Sequence, residues 1–88
     1  MTKLRLCADG LQWLEVEGEV IALQRLSSAY LVANSSGTLL WRALADGATE
    51  VELAKLLVDT YEIELDVARA DVARFLADLR EQELLASQ

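Results

Sequence analysis

The chain has 88 residues, which suffices for one domain with a single hydrophobic core and leaves no room for a second. Hydrophobic residues make up 53% of it and proline is absent, which favours a compact fold and excludes a disordered or proline-rich chain. Fifteen acidic residues against eight basic ones give a net charge of −7, which disfavours nucleic acids and anionic membranes as partners. We therefore expect one domain over residues 1–88.

The sequence lacks the residues that most catalytic and metal sites use. Histidine is absent and Cys7 is the only cysteine, so the commonest general base and the usual zinc ligands are missing. Cys7 also has no partner for a disulfide or for activation as a nucleophile. No apolar run approaches the roughly 18 residues of a membrane helix, and no signal peptide is evident. We expect a cytoplasmic protein that is not an enzyme and needs no cofactor.

Three short strands are predicted in the first 34 residues. Residues 12–17 alternate in polarity, residues 20–23 are apolar on both faces as in a central strand, and residues 30–34 form a third strand. A Glu-Gly turn joins the first two strands, and Trp13 is expected to cover the face of the sheet opposite the helices. Consecutive antiparallel strands form a meander, so the third strand has a free edge of N–H and C=O groups that an extended peptide can pair with.

Three helices are predicted in the rest of the chain. The first covers about residues 36–46, with Ser35 or Ser36 as N-cap and Gly47 as its stop. Thr49 and Glu52 form a capping box that opens the second, and the third covers about residues 66–83. Helical spacing predicts the buried faces: Leu40, Ala43 and Leu44; Leu53, Ala54, Leu56, Leu57 and Tyr61; Ala68, Val72, Phe75, Leu76 and Leu79.

Several short motifs occur in a recognisable order. They are Asn34, Leu40-Trp41, Asp46-Gly47, Thr49, Asp71-Val72, Phe75-Leu76 with Leu79, and Leu84-Leu85. Together they resemble the PqqD-like family of peptide-recognition proteins, over about residues 11–85. The resemblance implies an α+β fold similar to a winged helix-turn-helix, with a three-stranded antiparallel sheet packed on three helices.

The resemblance also implies a function. Members of this family bind the leader segment of a ribosomally made precursor peptide and present it to modifying or cleaving enzymes. The leader adds as an antiparallel strand to the third strand, and its side chains enter a groove along an exposed flank of the third helix. Carried over to this sequence, the leader-binding residues are Tyr30, Leu31, Val32, Ala33, Asn34, Asp71, Val72, Arg74, Phe75 and Leu79.

A free-standing chain of this length resembles the leader-binding protein of lasso-peptide gene sets, which implies a separate leader peptidase and a ring-closing enzyme as further partners. Another peptide-modification pathway is the alternative. Ala33 stands where the family usually has leucine, which predicts a larger groove. Glu83 stands where a glycine usually precedes the final apolar pair, which leaves the C-terminal cap open.

The candidate leader-binding residues also suit ordinary structural roles. Tyr30 is a typical strand residue, and the apolar residues of the third helix lie on a stripe that packs into a core. Asp71, Arg74 and Asp78 are spaced three and four apart, which predicts a short ion-pair ladder.

Two other functions stay open at this point. A winged-helix DNA binder would read DNA with the third helix, but that helix has more acidic than basic residues. A dimerisation module would pair the third strand with a second copy. We expect a monomer, with such self-pairing as the alternative.

Overall fold

The computed structural model describes residues 3–86. Three strands precede three helices, in the order β1 (Leu11–Val16), β2 (Glu19–Gln24), β3 (Ala29–Ala33), α1 (Ser35–Asp46), α2 (Glu50–Tyr61) and α3 (Leu65–Glu81). The strands form one antiparallel sheet with β2 in the centre. The predicted α+β fold and meander are confirmed. No helix within residues 3–86 combines the length and the hydropathy needed to cross a bilayer.

The β1–β2 hairpin has a two-residue turn that matches the twist of the strands. Glu17 and Gly18 both have positive φ, 51° and 81°, and Val16 lies opposite Glu19. Two consecutive left-handed residues define a type I′ turn, in which glycine at the second position avoids strain. This turn fixes the register of β1 against β2.

The inner face of the sheet packs on the helices. Val20, Ala22 and Gln24 of β2 are buried, and Ala33 of β3 is buried beside them. The fully buried Trp41 of α1 joins them in the core. The other buried apolar residues are Leu40, Leu44, Ala48, Leu53, Ala54, Leu57, Ala68, Val72, Leu76, Leu79 and Leu84.

Trp13 lies on the inner face as well, so the prediction that it covers the opposite face is wrong. Its ring meets the Trp41 ring edge to face, with the centroids 5.8 Å apart and the planes at 74°. Trp13 pairs with Ala22 across the sheet. The side chain of Ala22 is small and leaves space beside the Trp13 indole. Edge-to-face contact is a favourable geometry for a pair of aromatic rings.

The outer face of the sheet stays uncovered within the described part of the chain. Its side chains form two rows across the strands: Leu14, Ile21 and Val32, and Gln12, Leu23 and Tyr30. Leu14 is 55% exposed and Val32 is 51% exposed, although both are apolar. The sheet therefore has helices on one face and an apolar surface on the other.

Helix α1 starts one residue earlier than predicted, at Ser35. Asn34 is its N-cap, with an extended backbone and a side-chain Oδ1 that accepts the Gly37 N–H at 3.2 Å. The prediction of Ser35 or Ser36 as N-cap is wrong, because both lie inside the helix. Ser36 instead donates its hydroxyl to the same Oδ1. Gly47, with φ at +96°, ends the helix as predicted.

The predicted capping box of α2 is confirmed. The Thr49 hydroxyl accepts the Glu52 N–H at 3.1 Å, and the Glu52 carboxylate accepts the Thr49 N–H at 2.9 Å. The bond from the Thr49 N–H, and then the nearby charge of Lys3, lower the pKa of Glu52. The capping box thus holds a charged carboxylate at the positive end of the helix dipole.

An extended arm over residues 3–9 links the two ends of the chain. Leu4 bridges to Ala48 between α1 and α2, and Leu6 bridges to Leu85 after α3. The buried amide of Gln24 donates from Nε2 to the carbonyls of Asp9 and Glu83, each at 3.1 Å. These bonds fix both terminal segments to the central strand.

Candidate functional site

The register of the sheet determines which backbone groups face the free edge of β3. The turn carbonyl of Val16 accepts the Glu19 N–H in a type I′ turn, so these two residues face each other. Successive residues of an antiparallel strand alternate in direction, so the polar groups of Val20 point away from β1 and toward β3. The same alternation points the N–H and C=O groups of Tyr30 and Val32 away from β2. Four backbone groups of β3 therefore line its free edge.

Thr38 of α1 independently supports this assignment. The Val20 N–H donates to the Thr38 hydroxyl at 3.1 Å, and that hydroxyl donates to the Ala33 carbonyl at 3.1 Å. Val20 and Ala33 are opposite each other in the register. Their polar groups thus point toward each other with the Thr38 hydroxyl between them, as the alternation requires.

A groove of about 660 Å³ runs beside this edge. One wall is β3 with the start of α1, and the other is α3 with the end of α2. The residues that line it are Leu31, Val32, Ala33, Asn34, Ser35, Ser36, Gly37, Leu40, Leu57, Tyr61, Ile63, Asp71, Arg74, Phe75 and Asp78. The groove therefore combines an apolar lining with a few polar groups, next to unpaired backbone donors and acceptors. Such a combination suits an extended peptide.

Gly37 allows β3, α1 and α3 to meet closely at the bottom of the groove. A Cβ atom built on Gly37 lies 3.1 Å from the Ala33 Cβ and 3.4 Å from Cε1 of Phe75. Ala33 and Gly37 are therefore in tight contact, and the predicted enlargement of the groove by Ala33 stays a prediction.

Most of the predicted leader-binding residues lie at the groove or at the edge. Leu31, Val32, Ala33 and Asn34 of the β3 region line it, as do Asp71, Arg74 and Phe75 of α3. Tyr30 is not among the lining residues, and its side chain lies on the outer face, where it is 62% exposed. Its contribution to the site is the backbone edge.

The expectation that Val72 and Leu79 lie on an exposed flank of α3 is wrong. Val72 is 1% exposed and Leu79 is 0% exposed, and both belong to the core. Val72 borders a separate cavity of about 690 Å³ that Leu65 and Arg69 also line. In a helix of 3.6 residues per turn, positions 72 and 79 lie on the side that faces the core. Positions 71, 74 and 78 lie on the neighbouring flank, and position 75 lies at the margin between the two.

The sequence interpretation missed Asp78, Tyr61 and Ile63 as groove residues, and it did not place the start of α1 or Leu57 there either. Asp78 lies one helical turn after Arg74, and its place on the groove face follows from that spacing. Helical spacing predicts Tyr61 on the buried face of α2, but Tyr61 is 42% exposed and lines the groove together with Ile63. The signal for Tyr61 was its position at the last residue of α2, where a helix leaves the core.

The predicted ion-pair ladder on α3 does not form within the described residues. Ion pairs in residues 3–86 include those of Arg42 with Glu15 and of Arg80 with Glu50. Asp71, Arg74 and Asp78 are all in the groove lining instead, without an ion pair among them in residues 3–86. Their charges are thus available to an occupant of the groove.

The other edge of the sheet, at β1, is different. Trp13 packs on Trp41, and Glu15 forms an ion pair with Arg42, whose Nε donates to it at 2.8 Å. The hydrogen bond from Arg42 lowers the pKa of Glu15 and keeps this carboxylate charged. These side-chain contacts fill the space between β1 and α1. Of the two edges, β3 is therefore the one that has a groove beside its free backbone groups.

Two solved structures are similar to this one. TbiB1 in complex with the TbiA(beta) leader peptide matches with a TM-score of 0.87 and 21% identity, over 96% of this chain and 96% of that chain. Lasso peptide synthetase B1 complexed with the leader peptide matches with a TM-score of 0.83 and 24% identity, over 96% and 98%. At these identities the similarity establishes the fold.

No curated protein sequence matches the chain. The family model for coenzyme PQQ synthesis protein D (PqqD) matches residues 16–85, which include β2, β3 and all three helices. This match covers both walls of the groove and the free edge of β3. The chain therefore belongs to the PqqD family.

Proposed function

We propose that this protein is a non-catalytic adaptor that binds the leader segment of a ribosomally synthesised precursor peptide. The leader pairs with β3 as an additional strand and inserts side chains into the adjacent groove. The adaptor presents the bound peptide to a separate leader peptidase and a ring-closing enzyme, as in lasso-peptide biosynthesis. Residues 1–88 act as one recognition domain.

The observation that most supports this function is the position of the β3 edge beside the groove. The edge-facing groups of Tyr30 and Val32 offer two donors and two acceptors to an incoming strand. In strand addition these main-chain bonds supply affinity, and pockets for alternate side chains supply specificity. Both components are available here within one site.

The comparisons support the choice of ligand. Both similar structures are complexes with a leader peptide, and each aligns with nearly the whole of this chain. The family description itself, coenzyme PQQ synthesis, favours a second candidate, in which the chain serves another peptide-modification pathway. The two candidates share the leader-binding site and differ in the partner enzymes.

Eleven residues form the proposed leader-binding site. It contains Tyr30, Leu31, Val32, Ala33, Asn34, Tyr61, Ile63, Asp71, Arg74, Phe75 and Asp78. Tyr30 contributes its backbone, and the others line the groove. Val72 and Leu79 act indirectly, by holding α3 against the core.

A proline scan of the β3 edge tests this proposal. The probe is a fluorescent synthetic leader peptide of a lasso-peptide precursor, and the readout is anisotropy. Val32→Pro removes an edge-facing N–H without breaking a bond to β2, so we expect a loss of at least about tenfold in affinity. Val32→Ala keeps the N–H and should lose less. A folded Val32→Pro variant with wild-type affinity would contradict strand addition.

A further inference from the structure

An extended segment paired with β3 has side chains on both faces of the enlarged sheet. The segment residues opposite Leu31 and Ala33 point into the groove, because those two side chains lie on the helix side of β3. The residue between them lies opposite Val32 and points to the outer face. We call this residue the middle position. The residue opposite Tyr30, also on the outer face, is the flank position.

The middle position extends a row that is apolar across the whole sheet. Leu14, Ile21 and Val32 are in register from β1 to β3, and a side chain at the middle position becomes the fourth member. Directly opposed residues on adjacent strands lie about 4.5–5.5 Å apart between Cβ atoms, which is contact distance for branched side chains. Val32 is half exposed and has no neighbour on its edge side among the described residues.

The flank position has a different neighbourhood. Its row consists of Gln12, Leu23 and Tyr30, and it includes an amide and a phenol hydroxyl. A polar side chain beside Tyr30 has a hydrogen-bonding partner and keeps its hydration. The two outer-face positions are thus chemically distinct, although both lie outside the groove.

We propose that the leader segment recognised by this chain has three consecutive apolar residues, the first and third in the groove and the second against Val32 on the outer face. This inference rests on the proposed function. It holds for either strand direction, because side chains alternate between the faces with a period of two in both. The chain therefore reads its ligand on both faces of the sheet, and the flank position accepts polar residues.

A peptide-display selection tests this inference. Random 12-residue peptides are selected on the folded wild-type chain and, in parallel, on the Val32→Glu and Tyr30→Glu variants. Both residues are exposed, so the variants should fold like the wild type. We expect the wild type to enrich three adjacent apolar residues. Selection on Val32→Glu should change only the residue preferred at the middle position, to lysine or arginine. Selection on Tyr30→Glu should change only the residue preferred at the flank position, because side chains of opposite charge attract each other across adjacent strands.

Synthetic peptides from the selected pool give the magnitude. Lysine at the middle position should weaken binding to the wild type by about two- to fivefold, and the same lysine should strengthen binding to Val32→Glu. Lysine at the flank position should change the affinity for the wild type less.

Two results would overturn the inference, and they differ in what they say about the proposed function. In the first result, the selected peptides have apolar residues at alternate positions, show no preference at the middle position, and do not bind the Val32→Pro variant. This result refutes the inference and leaves the leader-binding function intact. A pool that binds Val32→Pro as well as the wild type refutes strand addition itself. The proposed function then fails together with the inference.

Discussion

Glu83 is a single residue at which the backbone conformation and the residue type disagree. Its φ is +60°, a left-handed conformation that costs a non-glycine residue about 1 kcal/mol. The carbonyl of Glu83 accepts a hydrogen bond from the buried Gln24, which holds the backbone in this conformation. The sequence resemblance places a glycine at this position, and the positive φ gives the physical reason for it.

We expect Glu83→Gly to stabilise the protein by about 0.5–1 kcal/mol, because glycine removes the strain and keeps the carbonyl in place. Urea denaturation measures the change. Gln82→Gly is the matched control, since Gln82 has φ at −93° and gains nothing from glycine. An unchanged or lower free energy of unfolding for Glu83→Gly would contradict this explanation.

Individual residues were predicted well where one local rule acts alone. Gly47 at the end of α1 and Thr49 before α2 follow from turn and capping preferences, and both are confirmed. Asn34 was missed as N-cap because two serines follow it and all three residue types are good caps. Only the backbone course from β3 into α1 decides among them.

At the level of the element, the capping box of α2 makes the stability of the protein depend on pH. The pKa of Glu52 is lowered in the folded protein by the Thr49 N–H and by Lys3. A lowered folded pKa adds stability above the unfolded value of about 4.3, and this contribution disappears as the pH falls through the folded value. We expect Glu52→Gln to lower the melting temperature at pH 7 and to have little effect near pH 3.

Glu52→Gln removes the charge and keeps an oxygen that can accept the Thr49 N–H. Thr49→Ala removes the hydroxyl that accepts the Glu52 N–H and should cost about 1 kcal/mol at pH 7. Thermal and urea unfolding over pH 3–7 check both variants. Glu64→Gln is the control at pH 7, because Glu64 is the N-cap of α3 and its side chain makes no capping bond. An equal loss for Glu64→Gln would mean that net charge, and not the cap, determines the effect.

Helix α3 has a core side and a groove side, and adjacent residues separate the two. Val72 is buried, so Val72→Ala should lower the free energy of unfolding by about 1–3 kcal/mol and leave the leader affinity of the folded protein unchanged. Phe75 lines the groove and is half-buried, so Phe75→Ala should weaken leader binding by at least about tenfold.

Unfolding curves and anisotropy titrations with the synthetic leader measure the two effects separately. Wild-type affinity for Phe75→Ala would remove α3 from the binding site. The helical period predicted one apolar stripe from Ala68 to Leu79, and this stripe is real. Periodicity alone did not tell which margin of the stripe borders a groove, because that depends on where α2 and β3 lie against the helix.

At the scale of the whole molecule, the sequence predicted the meander and the order of the helices. Its local patterns did not predict that the edge at β3 borders a groove whereas side chains of β1 pack against α1. Both β1 and β3 are edge strands. The contacts of Trp13 with Trp41 and of Glu15 with Arg42 join residues that are far apart in sequence. Local patterns do not contain such pairings, and they determine which edge stays next to a groove.

The net charge of −7 also acts at this scale, and it sets the expected behaviour toward nucleic acids. In a winged-helix DNA binder α3 would enter the major groove, but acidic residues outnumber the arginines on this helix. The arginines are Arg69, Arg74 and Arg80; the acidic residues are Glu64 at the N-cap, Asp66, Asp71, Asp78 and Glu81. Phosphate contacts supply most non-specific affinity, and acidic side chains oppose them.

We therefore expect no binding to random duplex DNA at 50 mM salt in an anisotropy assay that detects the leader peptide under the same conditions. The charge-reversing double variant Asp71→Lys/Asp78→Lys serves as a control for the assay, because added positive charge on α3 should produce weak, salt-sensitive DNA binding. Tight, salt-sensitive binding by the wild type would favour the DNA-binding interpretation. In that case a nucleic acid would have to occupy the groove beside α3. The carboxylates of Asp71 and Asp78 in its lining would repel the phosphates.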